Sequence, residues 1–316
     1  MSKISRVINK IIKRPSIIID YMFCFGFFNF LPDDKAAKLL WKAHFKEELN
    51  LSDPKTFNEK LQWLKVYDHK DEYTRYVDKY LVRDYVKEKI GEEYLIPLLG
   101  VWENANDINF EELPEQFVIK CNHNSGGGMC ICKDKKNIDI NKVVKNLNKC
   151  IKNNYYYKYR EWAYKNVTPL IIAEELMEDH NINNDIQTDG LIDYKFYCFN
   201  GEPKFLYVGF ANISDGIKKD VLSFLDLNWE PTPFYRRDHK PIPFAVQKPD
   251  DFDDMIEIAR KLSDNIPFVR VDLYYIDNRI FFSEMTMCPG SGFGKFYPEE
   301  WERKLGDWLV LPGKSN

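Results

Sequence analysis

Apolar residues recur with a helical period through most of the first 90 residues. The spacing predicts a helix over residues 33–49 and a second one that begins at Thr56. Glu59 follows Thr56 by three positions, which is the spacing of a capping box. A third helix is predicted over residues 74–90, ending at Gly91. The first part of the chain is therefore expected to be mainly helical.

Beyond that region the pattern changes to short segments rich in β-branched and aromatic residues. Strands are predicted over residues 94–101, 117–121, 129–132, 171–177, 192–199, 204–210, 268–276 and 279–285. Helices are predicted over residues 139–153 and 252–262. Asn200-Gly201 and Asp277-Asn278 separate paired strands with residues typical of hairpin turns. The chain is therefore predicted to have an α+β fold with antiparallel hairpins.

The N-terminal segment 1–31 has a composition of its own. Its first 14 residues carry Lys3, Arg6, Lys10, Lys13 and Arg14, and residues 16–31 are apolar and aromatic apart from Asp20. A helix packed on the protein, a membrane-surface anchor and a signal peptide all fit this pattern. The signal peptide is disfavoured because no small-residue cleavage site follows. No window reaches the roughly 18 uncharged apolar residues of a conventional membrane span.

Charge and cysteine content narrow the functional classes. The 316 residues include 45 Lys and Arg against 49 Asp and Glu, for a net charge of −4. This balance argues against a nucleic-acid binder that works through overall basicity. The seven cysteines are an odd number without a CxxC pair, which favours a reducing, cytoplasmic setting over a disulfide-rich secreted fold.

A lysine at the end of a predicted strand precedes a glycine-rich turn. Lys120 is followed by residues 122–128, which read NHNSGGG, and the next strand begins at Met129. Backbone N–H groups in such a flap can bind phosphate oxygens, and the lysine adds positive charge. A plain hairpin turn is the alternative. A zinc site built from Cys121, His123, Cys130 and Cys132 is a further alternative, although its spacing is rare for structural zinc.

Two neighbouring strands carry polar residues at alternate positions. Arg270 and Asp272 share one face of their strand, and Glu284 and Thr286 share one face of the next. Two carboxylates, a hydroxyl and an arginine on a common face would suit Mg²⁺ with a polyphosphate. A solvated polar face is the alternative, but the apolar neighbours indicate that the sheet is buried, where carboxylates need partners.

In sequence order these pieces resemble the ATP-grasp superfamily. More narrowly, the chain resembles its TupA-like branch, the amidoligases of teichuronopeptide and related polysaccharide synthesis. The closer resemblance lies in five segments: residues 54–65 (PKTFNEKLQWLK), 78–83 (DKYLVR), 117–123 (FVIKCNH), 160–162 (REW) and 193–201 (DYKFYCFNG).

The resemblance implies an ATP-grasp fold, in which two α+β subdomains hold ATP between them. The expected organisation is a basic and apolar segment over residues 1–31 and a helical region over 32–92. A subdomain with the glycine-rich flap would follow over 93–173, and a subdomain with the Mg²⁺-binding hairpin over 174–316.

The resemblance also assigns residues to roles. Residues expected to bind ATP are Lys79, Lys120, Ser125, Gly126, Gly127, Gly128, Met129, Glu174, Glu175, Leu176, Met177, Glu178, Asp193 and Lys195. Arg270 and Lys195 would be catalytic, and Asp272, Glu284 and Thr286 would ligate Mg²⁺ ions, expected as a pair. Thr286 departs from the asparagine that many ATP-grasp enzymes carry at this position.

The implied activity is ATP-dependent ligation of a carboxylate to an amine through an acyl phosphate. The expected substrates are a uronic acid of a nucleotide sugar or glycan and an amino acid or small amine, with no nucleic-acid partner. A kinase acting on a sugar hydroxyl and a non-catalytic ATP-binding protein remain alternatives, whereas a nucleotide-sugar DxD site with supporting context is not evident. The protein is expected in the cytoplasm, with contact to the inner leaflet through residues 1–31 as a hypothesis.

Overall fold

The computed structural model of the protein describes residues 16–124, 127–180, 190–214, 217–242 and 246–313, without the side chains of 211–214 and 217–220. The basic residues of segment 1–14, and Ser125 and Gly126 of the flap, lie outside the described residues. The described helices are α1 (Ser16–Cys24), α2 (Asp33–Phe45), α3 (Phe57–Tyr67), α4 (Glu72–Val77), α5 (Val82–Lys89), α6 (Ile140–Cys150), α7 (Tyr156–Tyr159), α8 (Phe252–Ser263) and α9 (Glu300–Trp308).

Antiparallel strands make up most of the remaining regular structure. They are β1 (Leu98–Trp102), β2 (Phe117–Cys121), β3 (Met129–Cys132), β4 (Ile171–Glu175), β5 (Asp193–Phe199), β6 (Glu202–Ser214), β7 (Ile217–Asp226), β8 (Tyr235–Arg236), β9 (Phe268–Ile276), β10 (Arg279–Thr286) and β11 (Phe296–Tyr297). Single 3₁₀ turns occur at Glu92–Tyr94, Ala105–Asp107, Lys135–Asn137, Trp162–Tyr164 and Pro289–Gly292. Helices and antiparallel sheets together confirm the predicted α+β class.

A four-stranded sheet contains the predicted flap. Its strand order is β1-β4-β2-β3, and every pairing is antiparallel. Phe117, Ile119 and Cys121 alternate along β2 and lie fully buried against one side of the sheet, where Leu147 of α6 packs. The intervening residues Val118 and Lys120 face the other way, as period-two alternation requires. The predicted boundary between residues 173 and 174 falls within β4 of this sheet.

A five-stranded sheet of order β10-β9-β5-β6-β7 forms the second layer. Helix α8 covers one of its faces through Met255, Ala259 and Leu262, which are fully buried. The opposite face carries aromatic rings that pack against α3 and α9, among them Tyr197 and Phe268, which contact Phe57 of α3. The long β6–β7 hairpin extends beyond the strand predicted over 204–210, and β7 itself has no counterpart in the sequence prediction.

The helix predicted over 74–90 is wrong, because two helices, α4 and α5, occupy this stretch. The Asp78 carboxylate lies between them and accepts hydrogen bonds from the backbone N–H groups of Tyr80 and Leu81, at 2.8 and 3.2 Å. Asn122 donates to the same oxygen at 2.8 Å. An aspartate that binds nearby backbone in this way competes with the helical hydrogen bonds. The break leaves Lys79 outside either helix.

Other boundaries shift by a few residues. Helix α2 ends at Phe45 rather than residue 49, because Lys46 adopts a left-handed conformation with φ of 64°. The capping box predicted at Thr56 and Glu59 is present at the start of α3. Residues predicted to begin the first strand at Tyr94 form a 3₁₀ turn instead, and the strand runs over Leu98–Trp102.

The C-terminal helix α9 crosses the start of α3 at very close range. A Cβ atom added to Gly306 would lie 2.1 Å from the Lys55 carbonyl oxygen and 2.9 Å from the Thr56 carbonyl carbon. Lys60 of α3 donates from Nζ to the carbonyl oxygens of Gly306 and Leu309, both at 2.7 Å. This contact joins the N-terminal helical region to the end of the chain.

We expect the Gly306→Ala variant to lose about 1–3 kcal/mol of unfolding free energy, because the new methyl group overlaps backbone atoms that have no side-chain freedom to move away. Urea-induced unfolding followed by circular dichroism measures the change. Gly313→Ala is the matched control, since nothing lies within 4 Å of a Cβ atom at that position. Equal stabilities of the two variants would contradict the close crossing.

Candidate active site

A cleft of about 970 Å³ opens between the four-stranded and five-stranded sheets. The residues of the predicted ATP site that line it are Lys79, Lys120, Met129, Glu174, Glu175, Leu176, Met177, Glu178, Asp193 and Lys195. Gly127 and Gly128 lie at the turn that leads into β3. The structure thus brings side chains from distant parts of the chain to one cleft.

The register between strands β5 and β9 positions the charged side chains next to the cleft. In the β5–β9 pairing Lys195 lies directly opposite Asp272, and its Nζ donates to Asp272 Oδ2 at 2.6 Å. The same ammonium group reaches Asp193 Oδ1 at 2.9 Å. Asp272 is completely shielded from solvent. A buried carboxylate needs cationic or hydrogen-bonding partners, and the opposing strand supplies one.

Arg270 supplies the second partner. Its Nε donates to Asp272 Oδ1 and one terminal nitrogen donates to Oδ2, each at 2.6 Å. That terminal nitrogen also reaches Glu284 Oε1 at 3.1 Å and Thr286 Oγ1 at 3.0 Å. The predicted grouping of Arg270, Asp272, Glu284 and Thr286 on one face is thus present. An irregularity in β10 between Phe282 and Glu284 shifts the register so that Glu284 pairs with Asp272.

Electrostatic interactions favour the charged forms of Lys195 and Glu284, whereas burial raises the pKa of Asp272. Burial disfavours the charge on Lys195, but Asp272 and Asp193 outweigh that effect and hold the Lys195 pKa well above its usual value. Burial would likewise raise the pKa of Glu284, whereas Lys79, Lys195 and Arg270 together lower it to about 2. Glu284 keeps 35% of its side chain exposed, so its ionised carboxylate stays accessible from solvent.

The facing wall holds a second set of ion pairs. Lys120 Nζ lies 2.6 Å from Glu174 Oε2, and Arg83 donates to Glu174 Oε1 at 3.1 Å. Arg83 also donates to the Ile96 carbonyl oxygen at 2.8 Å. Glu174 therefore fixes the position of Lys120 at the cleft. Lys79 bridges the two walls, since its Nζ bonds the Asn124 carbonyl oxygen at 2.8 Å and lies 3.9 Å from Glu284 Oε2.

The flap strand presents apolar groups to the cleft. Cross-strand pairs Val118–Ile131 and Lys120–Met129 line it, with Met129 53% and Ile131 49% exposed. At the turn, Gly128 has φ of +62°, and a Cβ atom there would lie 2.7 Å from Cys150 Cβ. Only glycine suits that conformation and that contact. The cleft therefore combines lysine ammonium groups with an apolar surface suited to a flat ring.

Residues 59–310 of the chain match a protein family described as TupA-like ATPgrasp. The chain belongs to the TupA-like ATP-grasp family. This confirms both the resemblance drawn from the motifs and the expected ATP-grasp fold. No curated protein matches the chain.

Solved structures similar to this TupA-like chain include ATP-grasp and amino-acid ligases. D-Alanine-D-alanine ligase from Helicobacter pylori has a TM-score of 0.41 and 16% identity, over 79% of this chain and 62% of the ligase. The ATP-grasp ligase PsnB with a precursor variant, Mg and ADP has a TM-score of 0.42 and 8% identity, over 80% of this chain and 66% of PsnB. L-amino acid ligase from Bacillus licheniformis has a TM-score of 0.40 and 12% identity, over 70% of this chain and 42% of the ligase. This chain thus spans less than two thirds of the first of these ligases.

The family motif over residues 54–65 supports the loop that follows β10. Gln62 of α3 donates to the carbonyl oxygens of Ser291 and Gly292 at 3.1 and 3.0 Å, and buried Lys65 donates to the Ser291 carbonyl oxygen at 3.0 Å. Asn58 donates to Gly294 at 3.0 Å. These three residues share one helix face. These hydrogen bonds hold the loop that follows the predicted metal ligands of β10.

Several cleft residues are absent from the sequence prediction. They are Arg83, Ile96, Val118, Ile131, Lys133, Tyr207, Tyr274 and Phe282. Side chains alternate between the two faces of a strand, and Val118 and Ile131 each lie two positions from a predicted site residue. This spacing could have predicted that both face the cleft. Arg83 and Tyr207 carry no such local signal, because their roles depend on pairings between distant segments.

The zinc alternative is not supported by the hairpin register. Cys132 pairs with Phe117 at one end of the hairpin, whereas Cys121 lies at the other end beside Gly128. His123 bonds Asn122 Oδ1 and the Asn153 carbonyl oxygen, at 3.2 and 3.0 Å. Across the described ranges, no three or more His, Cys, Asp or Glu side chains form a metal-binding group.

The predicted Mg²⁺ ligands are the carboxylates of Asp272 and Glu284 and the hydroxyl of Thr286. Asp272 Oδ1 accepts one hydrogen bond, from Arg270, so it keeps a free acceptor direction, and the Glu284 side chain is 35% exposed. Mg²⁺ is commonly held by one or two carboxylates with substrate phosphates and water as the other ligands. The donor set fits Mg²⁺ in this form, and the assignment of individual ligands stays a prediction.

We expect Asp272→Asn to lower the free energy of unfolding by about 3 kcal/mol, because it leaves Arg270 and Lys195 adjacent in a buried site without their shared counter-charge. Urea titration without nucleotide or divalent cation measures this loss. Glu284→Gln serves as the comparison and should cost clearly less, since its partly exposed side chain can be hydrated. A loss at Glu284 as large as that at Asp272 would contradict the proposed dependence on burial.

Proposed function

We propose that the protein is an ATP-dependent ligase that joins a carboxylate to an amine. The observation that carries the proposal is the cleft of a TupA-like ATP-grasp chain, which is lined by Lys79, Lys120 and Lys195, with Lys195 bonded to the Asp272 carboxylate that Arg270 also holds. Its positive groups suit a polyphosphate, and its apolar flap strand suits a nucleotide base. The acid we propose is a uronic acid of a nucleotide sugar or surface polysaccharide.

A carboxylate resists amines because its leaving group would be oxide. In the proposed first step an oxygen of the acid attacks the γ-phosphorus of ATP, the bond from phosphorus to the β-bridging oxygen breaks, and ADP and an acyl phosphate form. The amine nitrogen then attacks the carbonyl carbon and loses a proton. Phosphate leaves with the former carboxylate oxygen, and the products are an amide, ADP and phosphate.

The residues of the chain contribute binding and charge stabilisation to these steps. Lys120, held by Glu174, and Lys79 are placed to bind phosphate oxygens, and Arg270 can stabilise charge on the transferred phosphoryl group. Mg²⁺ held by Asp272, Glu284 and Thr286 would neutralise phosphate charge and orient the γ-phosphoryl group.

The test is ADP release with a panel of uronic acids and amines, together with mass spectrometry of the products. We expect ADP release to require both an acid and an amine and to yield their amide. The Lys120→Ala variant should form the same product with a KM for ATP raised about tenfold or more, because it loses a charge-assisted phosphate contact.

Lys142→Ala is the control, since Lys142 lies at the surface of α6 away from the cleft. A phosphoester product without amide would replace the ligase by a kinase. Absence of ATP binding in the unaltered protein would overturn the nucleotide site as well. An unchanged ATP KM in Lys120→Ala would remove that lysine from the ATP site.

A further inference from the structure

A second cavity of about 690 Å³ adjoins the cleft. The two cavities share Leu222 and His239 as lining residues. Aromatic rings of Trp229 and Phe234 line the second cavity, and Arg236 and Arg237 lie along it. It therefore combines flat apolar surfaces with guanidinium groups, and nothing in the ATP-binding proposal uses it.

Arg236 lines the second cavity and lies three residues before His239, which lines both cavities. Its side chain is only 11% exposed and packs on the loop after β10, where a Cβ atom on Gly294 would lie 2.5 Å from Arg236 Cζ. Tyr207 lines the neighbouring cleft, and its ring centroid lies 5.9 Å from the Arg270 guanidinium carbon.

Acidic neighbours of Arg236 and Arg237 do not prevent these arginines from binding an anion. Arg236 bonds Asp238, whose side chain is 52% exposed and can turn into solvent. Arg237 lies 3.8 Å above the Tyr297 ring, and no carboxylate of the described residues lies within ion-pair distance of it. Buried Tyr197, whose hydroxyl has no hydrogen-bond partner, also interacts with Arg236.

We propose that the second cavity binds the acid substrate as a carboxylated sugar. Arg236 receives the carboxylate, since a guanidinium group matches a carboxylate with two parallel hydrogen bonds. The sugar ring stacks on the aromatic lining, and Arg237 attracts further negative charge at the rim. This inference rests on the ligase proposal, because only an acid substrate needs a cation at this junction.

Calorimetric binding of UDP-glucuronic acid and UDP-glucose to the full chain tests the site. We expect the unaltered protein to prefer the carboxylated sugar by about tenfold or more, and Arg236→Gln to lose that preference without a change in ATP affinity. Arg236→Lys keeps the charge and should retain part of the preference. Arg260→Gln, which alters an exposed arginine of α8, is the matched control.

Equal affinity of the unaltered protein for the two sugars, or a preference that survives in Arg236→Gln, would overturn the inference. Thermal unfolding of each variant shows whether the loop after β10 is intact. The assay requires binding and no turnover. Loss of carboxylate preference in Arg236→Gln with no amide formed by the unaltered protein would support the site and refute the ligase reaction.

An independent observation concerns the N-terminal aromatic patch, defined as Ile18, Tyr21, Phe25, Phe27 and Phe30. Their side chains are 48%, 53%, 76%, 63% and 79% exposed. Soluble proteins seldom leave so many large apolar side chains together on the surface, and such patches mark interaction sites.

The other side of the same segment is fixed to the protein. Phe23 of α1 is buried against Ala36 and Leu40 of α2. His44 bonds Asp20 at 2.8 Å, and Arg160 donates to the Phe28 carbonyl oxygen at 2.7 Å. The two interpretations drawn from the sequence are therefore compatible: one face packs on the protein and the other is presented outward.

We infer that this patch binds an anionic lipid surface. The 14 residues that begin the chain carry five basic and no acidic side chains, so the sequence next to the patch complements negative headgroups. Aromatic side chains beside basic residues are typical of segments that lie in a membrane interface. No helix in the described ranges is long and apolar enough to cross a bilayer.

Co-sedimentation with vesicles of phosphatidylcholine, alone or mixed with phosphatidylglycerol, tests this inference. We expect the full chain to sediment with the mixed vesicles only, and less so in high salt. A triple variant with Phe25→Ser, Phe27→Ser and Phe30→Ser should bind at least about tenfold more weakly. Val310→Ser, which removes another exposed apolar side chain, is the control.

Failure of the full chain to sediment, or equal binding by the triple variant, would overturn the lipid inference. So would a dimer in analytical ultracentrifugation that dissociates in the triple variant, since the patch would then bind a second copy of the chain.

Discussion

The buried Asp272 carboxylate, held between Lys195 and Arg270, is the interaction on which the site depends. The pairing is a consequence of strand register, because Lys195 and Asp272 face each other across β5 and β9. A slip of one residue in either strand would turn its side chains to the opposite face of the sheet and separate Lys195 from Asp272. The register is therefore fixed jointly by a buried ion pair and by the apolar residues that alternate with it.

The other elements position groups around that pair. The irregularity in β10 directs Glu284 toward Lys79 and Arg270. The break at Asp78 frees Lys79 from a helix and ties it to the flap sheet through Asn122. Helix α3 holds the loop after β10 through Gln62 and Lys65. The helical region that precedes the two sheets thus belongs to the site, although none of its α3 side chains lines the cleft.

Local signals in the sequence were sufficient for most elements and for the faces of β9 and β10. The capping box at Thr56 and the alternation of Arg270 with Asp272 involve neighbours along the chain, so they can be recognised without the fold. The break at Asp78 could not be predicted in this way, because its partner Asn122 lies 44 residues away. Arg83 could not be predicted for the same reason, because its partner Glu174 is distant in the sequence. The extension of β6 into β7 was missed as well.

The charge of the acceptor separates the ligase from a kinase on physical grounds. A hydroxyl acceptor is neutral and needs a base, whereas a carboxylate acceptor brings a negative charge toward a triphosphate that is itself negative. An enzyme for the second case needs a cation between them that is not already committed to the nucleotide. Lys195 and Arg270 are committed to Asp272. Arg236, which lines the adjoining cavity and has a counter-ion open to solvent, meets this requirement, so the proposed site suits an acidic acceptor better than a neutral one.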